Sequence, residues 1–188
     1  DQNTEHSTTH TYVWEMKVIK FTKKNNEEVN LKDAQFVLYR LNGTTKEYVV
    51  ANSSNKVTGW TENTYDSNLT PKATVFTTPE NGTFTISGLD AGTYYLEEIK
   101  APAGYNMLKE PIEIVITASI DRANDAGTAT VTYNKFFTGD VKVENQTGTE
   151  LPSTGGIGTT IFYIVGSLLA VGAVILLVTK KRMGKAEN

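Results

Sequence analysis

Three polar side chains stand where the alternation of strand residues would point them inward. Lys20, Glu98 and Asn145 each end a run of apolar residues spaced two apart. The apolar residues before them on the same faces are Trp14, Met16 and Val18, then Tyr94 and Leu96, then Val141 and Val143. Successive strand side chains point to opposite faces, so each polar residue shares the face of its apolar predecessors. An isolated buried Lys or Glu is costly, so three inward polar groups would be expected to meet.

An amine, a carboxyl and a carboxamide in one buried place can form an amide bond. Burial disfavours the charged ammonium, and the neutral amine of Lys20 is then a nucleophile. Burial also favours a neutral Glu98, which could donate to the carboxamide oxygen of Asn145 and then pass a proton to the departing ammonia. Holding the reactants together would supply most of the rate. On this reasoning an aspartate would serve as well, with water leaving.

Strand alternation alone leaves a second interpretation open. Each polar residue could lie just beyond the edge of the core, where water would solvate it. Two other residues, Lys17 and Asn134, compete for the same roles, but both fall on the polar sides of their strands.

Composition excludes several other kinds of chemistry. The 188 residues contain no Cys, which excludes disulfides, thiolate metal sites and Cys nucleophiles. The only two His are His6 and His10, in a segment without helical pattern, so we predict no metal site and no cofactor. Eighteen Lys and Arg oppose twenty-one Asp and Glu, a net charge of -3 that argues against nucleic acid as a partner.

Short β-type segments make up most of the chain. Many short strands separated by turn signals predict an all-β, Ig-like antiparallel sandwich over residues 12–146. The polar residues 1–11 are expected to be a linker from an upstream domain. Residues 52–71 are predicted to be a long loop, in which Trp60 is expected to pack the loop down rather than to bind a ligand.

A different pattern begins after residue 156. Residues 161–178 carry no charge, and 157–179 is long enough to span a bilayer as a transmembrane helix. Residues 180–188 follow as a basic tail with Lys180, Lys181 and Arg182, and such cations mark the cytoplasmic side. The β-rich part would then lie outside the cell.

The residues before this apolar segment resemble a cell-wall sorting signal. Leu151, Pro152, Ser153, Thr154 and Gly155 read Leu-Pro-x-Thr-Gly, and an apolar span and a basic tail follow in order. The pattern is similar to that of Gram-positive surface proteins. The resemblance implies a sortase that cuts between Thr154 and Gly155 and passes the Thr154 carboxyl to peptidoglycan or to a Lys of a neighbouring pilin. Residues 147–156 would be the linker that presents the motif.

The β-rich segment resembles the Cna B-type, SpaA-like domains of pilins. Within "GTYYLEEIKAPAGYN", the residues that match the family's Tyr-x-Leu-x-Glu-Thr-x-Ala-Pro-x-Gly-Tyr pattern are Tyr94, Leu96, Glu98, Ala101, Pro102, Gly104 and Tyr105, whereas Ile99 replaces the usual Thr. The resemblance implies a Lys20–Asn145 isopeptide bond assisted by Glu98, so it selects the same three residues as the strand alternation.

The whole chain resembles the C-terminal part of SpaH/EbpB-type major fimbrial subunits. We therefore expect a cell-wall-anchored structural subunit of a pilus, whose precursor is held in the plasma membrane, and no enzyme that turns over. Its expected partners are a sortase, other pilins or peptidoglycan, the membrane before cleavage, and host surface ligands. The alternative is the stalk and anchor of an adhesin that binds a host ligand through upstream domains. No acceptor-Lys pilin motif is visible in these residues.

Overall fold

The computed structural model describes residues 11–121, 123–124 and 126–148, all within the first of the chain's two units, 1–148. Twelve β-strands and their connections make up this part. The strands are β1 (Trp14–Lys24), β2 (Glu27–Asn30), β3 (Gln35–Asn42), β4 (Thr45–Ala51), β5 (Val57–Thr61), β6 (Phe76–Thr77), β7 (Thr83–Leu89), β8 (Gly92–Lys100), β9 (Ile112–Asp121), β10 (Ala126–Tyr133), β11 (Phe137–Thr138) and β12 (Val141–Glu144).

Two sheets face each other across one core. In the smaller sheet, β1 is central, with β12 on one edge and β2 and β7 along the other. The larger sheet has the order β11-β10-β9-β8-β3-β4-β5, with β6 beside β3. Buried residues of both sheets form the core, among them Met16, Val18, Phe36, Leu38, Ile86, Leu96, Ile114 and Val141. The predicted all-β sandwich is confirmed.

The first and last strands are parallel neighbours. β1 and β12 pair from Val18 opposite Val141 to Phe21 opposite Glu144, with Lys20 opposite Val143. Every second residue of both strands points into the core, and these inward residues are mostly apolar, with Lys20 among them. The two ends of the domain sequence therefore lie side by side in the smaller sheet.

The segment "GLDAG" carries the chain from one sheet to the other. β7 pairs with β1 in the smaller sheet, whereas β8 pairs with β3 and β9 in the larger one. The inward residues of β8 thus face β1 across the core. This crossing places Glu98 opposite the smaller sheet.

The predicted long loop is partly wrong, because residues 57–61 form β5. This strand pairs with β4, where Trp60 lies opposite Val49. The indole stacks on Tyr94 with ring centroids 5.9 Å apart, and the Arg40 guanidinium lies 4.1 Å from its centroid. Trp60 is therefore a packing residue, which agrees with the expectation for it. Because residues 52–71 are mostly polar, their sequence did not predict this edge strand.

The predicted membrane span and sorting motif lie outside the described residues. Within 11–148, leaving out Arg122 and Asp125, the structure contains no helix that is long and apolar enough to cross a membrane.

Candidate crosslinking site

The strands bring Lys20, Glu98 and Asn145 together inside the domain. Lys20 lies on β1, Asn145 directly follows β12, and Glu98 lies on β8 of the facing sheet. Their exposed fractions are 0%, 1% and 4% for Lys20, Asn145 and Glu98 respectively. The burial predicted from alternation is confirmed for all three residues, and the solvated alternative is wrong.

Backbone pairing fixes Lys20 and Asn145 next to each other. The Asn145 amide N–H donates to the Phe21 carbonyl at 3.0 Å, which continues the β1–β12 ladder one residue past β12. The Lys20 amide donates to Gly82 O at 2.8 Å on the other edge of β1. Backbone hydrogen bonds thus hold both residues in place without any contribution from their side chains.

The amine of Lys20 lies among few polar partners. Its Nζ donates to the Val143 carbonyl at 2.9 Å and lies 3.9 Å from Oε1 of Glu98. Loss of hydration lowers the pKa of Lys20 from 10.5 to about 8, although the charges of Glu98 and Glu144 oppose this shift. A substantial fraction of neutral amine is therefore present near pH 8.

The two oxygens of Glu98 have different surroundings. Oε2 accepts hydrogen bonds from the Leu108 backbone N–H at 2.8 Å and from Asn145 Nδ2 at 2.9 Å. Oε1 is buried without a hydrogen-bond partner among the described residues, and the Lys20 amine lies on its side. One carboxyl group therefore contacts both the Lys20 amine and the side-chain nitrogen of Asn145.

The carboxamide of Asn145 is held through its nitrogen. Nδ2 donates both to Glu98 Oε2 and to the Asn106 carbonyl, whereas Oδ1 is buried and accepts from no group in the described part of the chain. This differs from the expectation that Glu98 would face the carboxamide oxygen. A carbonyl can only accept, so Asn106 requires an N–H opposite it and fixes the orientation.

Sequence reasoning missed the backbone of residues 106–108. Asn106 O and Leu108 N contact Asn145 and Glu98, and both come from the loop between β8 and β9. The only sequence signal for this loop is the segment "APAGYN" after β8. Backbone groups carry no residue-type signature, so the pattern of side chains could not have identified them.

The competing residues lie away from this cluster. Lys17 is exposed and pairs with Asp140 at 2.9 Å. Asn134 is exposed in the turn between β10 and β11 with φ of 48°.

Among the described residues, no group of three or more His, Asp or Glu side chains could hold a metal ion. Asp121 accepts hydrogen bonds from the Asn124 side chain and from the Ala123 backbone N–H, which lower the pKa of its carboxyl group.

Comparison with known families gives two matches. The model of the family described as "SpaA: Prealbumin-like fold domain" matches residues 17–135. The model described as "LPXTG cell wall anchor motif" matches residues 143–183, which include the five residues of the predicted sorting motif.

Individual relatives agree with these matches. Fimbrial subunit type 1 of Actinomyces viscosus is 30% identical over 53% of this chain and 17% of its own length. Trypsin-resistant surface T6 protein of Streptococcus pyogenes serotype M6 is 25% identical over 57% of this chain and 31% of its own length. The chain thus spans less than a third of either curated relative, and neither name is that of an enzyme.

A solved structure shares the fold. The SpaE basal pilin from Lactobacillus rhamnosus GG, in its orthorhombic form, has a TM-score of 0.52 and 21% identity. The alignment covers 71% of this chain and 46% of that one.

Proposed function

Because the chain belongs to the SpaA family of prealbumin-like fold domains, we propose that it is a structural subunit of a pilus. Its LPXTG motif makes it a cell-wall-anchored surface protein. A sortase joins the Thr154 carboxyl to an amine of a neighbouring pilin or of peptidoglycan. The observation that carries this proposal is a buried Lys-Glu-Asn cluster between the terminal strands, directly before an anchor motif.

The domain boundaries follow the same proposal. Residues 12–146 form the load-bearing sandwich, and 1–11 connect it to an upstream domain. Residues 147–156 present the sorting motif, 157–179 hold the precursor in the plasma membrane, and 180–188 remain on the cytoplasmic side.

Lys20 and Asn145 form an isopeptide bond in the folded domain. Proton transfer from Lys20 to Oε1 of Glu98 leaves a neutral amine and a neutral acid. The distance of 3.9 Å between Lys20 Nζ and Glu98 Oε1 supports this step. The Nζ lone pair attacks Cγ of Asn145, so the carbonyl π pair moves to Oδ1. The pKa of Lys20, about 8, favours the amine form.

Glu98 completes the exchange by moving protons. The neutral Glu98 gives its proton to the leaving nitrogen Nδ2, which already lies beside its carboxyl group, and the carboxylate then accepts the proton that the attacking Nζ must lose. The Cγ–Nδ2 bond breaks, ammonia leaves, and an amide N–H remains on Nζ. Glu98 is regenerated, whereas Lys20 and Asn145 are consumed, so the reaction occurs once per chain.

The second candidate is the stalk and anchor of a wall-attached adhesin. The match to a relative named only as a surface protein favours it. Both candidates share the crosslinked domain and the anchor. A ladder of high-mass covalent species from intact cells supports the pilus, and a single wall-linked species supports the adhesin.

Replacing Thr154 tests the anchoring role. In a Gram-positive host with its own sortase, Thr154→Ala should keep the protein in the membrane fraction, because no acyl transfer can occur. Ser153→Ala is the matched control, since it changes only the variable position of the motif, and it should remain wall-linked. Wall attachment of Thr154→Ala equal to that of the control would contradict the proposal.

A further inference from the structure

The loop of residues 106–108 touches both partners of the proposed reaction through its backbone. Asn106 O accepts from Asn145 Nδ2, and Leu108 N donates to Glu98 Oε2. The Asn106 N–H also donates to the Gln146 carbonyl at 3.1 Å. Residue 106 therefore contacts the side chain of Asn145 and the backbone of the next residue.

Both donors of the Asn145 amide are used. Its nitrogen carries two N–H groups, one for Glu98 Oε2 and one for Asn106 O. A carboxyl group in the same place would put an oxygen opposite two acceptors, and its single proton could satisfy only one of them. The other would become a buried contact between two oxygens, which costs free energy.

We propose that the Asn106 carbonyl makes the crosslinking site specific for asparagine at position 145, with Asn106 acting as a positioning residue. This inference rests on the proposed isopeptide bond. It differs from the expectation that aspartate would serve equally well. The Asn106 carbonyl holds the leaving nitrogen of Asn145 against Glu98. The hydrogen bond from Asn106 N to Gln146 O fixes the backbone of residue 106 and so keeps its carbonyl in place.

An aspartate also changes the proton balance. The reactive asparagine form has a neutral Lys20 and a neutral Glu98, which carry as many protons as the ion pair. The Asn145→Asp variant needs a protonated carboxyl at 145 as well, so that water can leave. The carboxyl groups of Glu98 and residue 145 therefore compete for the proton that Lys20 gives up, which disfavours the reactive form.

Intact mass of the full chain measures the specificity. At pH 7 the wild type should lose one ammonia in every molecule, whereas Asn145→Asp should lose water at least tenfold more slowly. Complete loss of water at the wild-type rate at pH 7 would overturn the proposal.

Two substitutions at residue 106 test the role of its backbone. Asn106→Ala keeps both the N–H and the carbonyl, so it should crosslink like the wild type. Asn106→Pro removes the N–H that anchors the carbonyl to Gln146 and should slow bond formation at least tenfold. Equal rates for the two variants would contradict the positioning role.

An NMR measurement does not depend on either variant folding. In Lys20→Met, which cannot crosslink, both side-chain N–H protons of Asn145 should exchange slowly with solvent. The exposed side-chain amide of Asn134 is the internal control and should exchange rapidly. Rapid exchange at Asn145 would overturn the inference. A wild-type chain of full mass would instead count against the isopeptide bond itself.

Discussion

At the scale of single residues, the unreacted site carries an electrostatic penalty at Lys20. Burial lowers the pKa of this amine from 10.5 to about 8 in the folded domain, whereas the unfolded chain retains the ordinary value. Between these values the unfolded state binds more protons, so the free energy of unfolding rises with pH. Below pH 8 the folded domain must hold a buried ammonium ion. Bond formation removes this charge and hence the penalty.

The Asn145→Ala variant exposes this penalty because it keeps Lys20 but cannot crosslink. Its free energy of unfolding should rise by up to about 3 kcal/mol between pH 8 and pH 10.5, since each pKa unit corresponds to about 1.4 kcal/mol. Urea unfolding at several pH values measures the change. The Lys20→Met, Asn145→Ala double variant has every other titrating group and should lack this rise. Identical pH profiles for the two variants would contradict the buried-amine account.

Alternation in the sequence predicted which residues would meet but not how they would be oriented. The parity of β1, β8 and the last strand placed Lys20, Glu98 and Asn145 inside, because one face of each strand must cover the core. The contact between Nδ2 of Asn145 and Asn106 O depends on the path of a loop. Loop backbone has no such alternation, so this part of the site needed the structure.

At the scale of secondary-structure elements, the turn between β6 and β7 supports the strand that carries Lys20. Gly82 has φ of +68°, and a Cβ there would lie 2.8 Å from the Lys20 carbonyl oxygen. The Gly82 carbonyl accepts from the Lys20 amide. The turn therefore approaches β1 as closely as a residue without a side chain allows.

Gly82→Ala should lower the free energy of unfolding more than the same substitution at another glycine with positive φ. Gly43 has φ of +61°, and apart from Gly43 and its two chain neighbours no described residue has an atom within 4 Å of the place that a Cβ would take, so Gly43→Ala carries only the backbone cost of about 1 kcal/mol. Gly82→Ala adds a steric clash of roughly 1–3 kcal/mol. Urea unfolding of both variants in a Glu98→Ala background measures the difference. Equal losses would show that the close approach to β1 is unimportant.

The sequence pattern identified some strands and missed others. Segments with clear alternation, such as β1, β8 and β9, were identified because each covers the core with one face. β5 was missed because its sequence "VTGWT" lies within polar residues and has a Gly at its centre. Its pairing with β4 and the packing of Trp60 stabilise it, and these are tertiary contacts.

At the scale of the whole molecule, the proposed bond joins the two ends of the domain. It closes a loop from residue 20 to residue 145, and β1 and β12 run parallel at the join. By the chain-entropy argument for crosslinks, such a loop stabilises the fold by about 4–5 kcal/mol. Tension that enters before β1 passes through the bond to residues after Asn145. The strands from β2 to β11 then bear little load.

Pulling on the two ends of the domain should distinguish crosslinked from uncrosslinked molecules by how far each extends when force is applied. Glu98→Ala should unfold and release the whole enclosed segment, roughly 400 Å of extended chain at about 3.5 Å per residue. The wild type should show no such step, because the bond bypasses the segment. Single-molecule force spectroscopy measures the extension. A step of that length in the wild type would contradict the proposed path of the load.

The central claim is that Lys20 and Asn145 become covalently joined with the help of Glu98, and intact-mass spectrometry of the full chain tests it most directly. The wild type should be lighter than its sequence by one ammonia, and peptide mapping should link Lys20 to Asn145. Glu98→Ala should have its full mass. Glu97→Ala, which removes the outward neighbour paired with Lys46, should lose ammonia like the wild type. A wild-type chain of full mass, with the Lys20 and Asn145 peptides separate, would contradict the account.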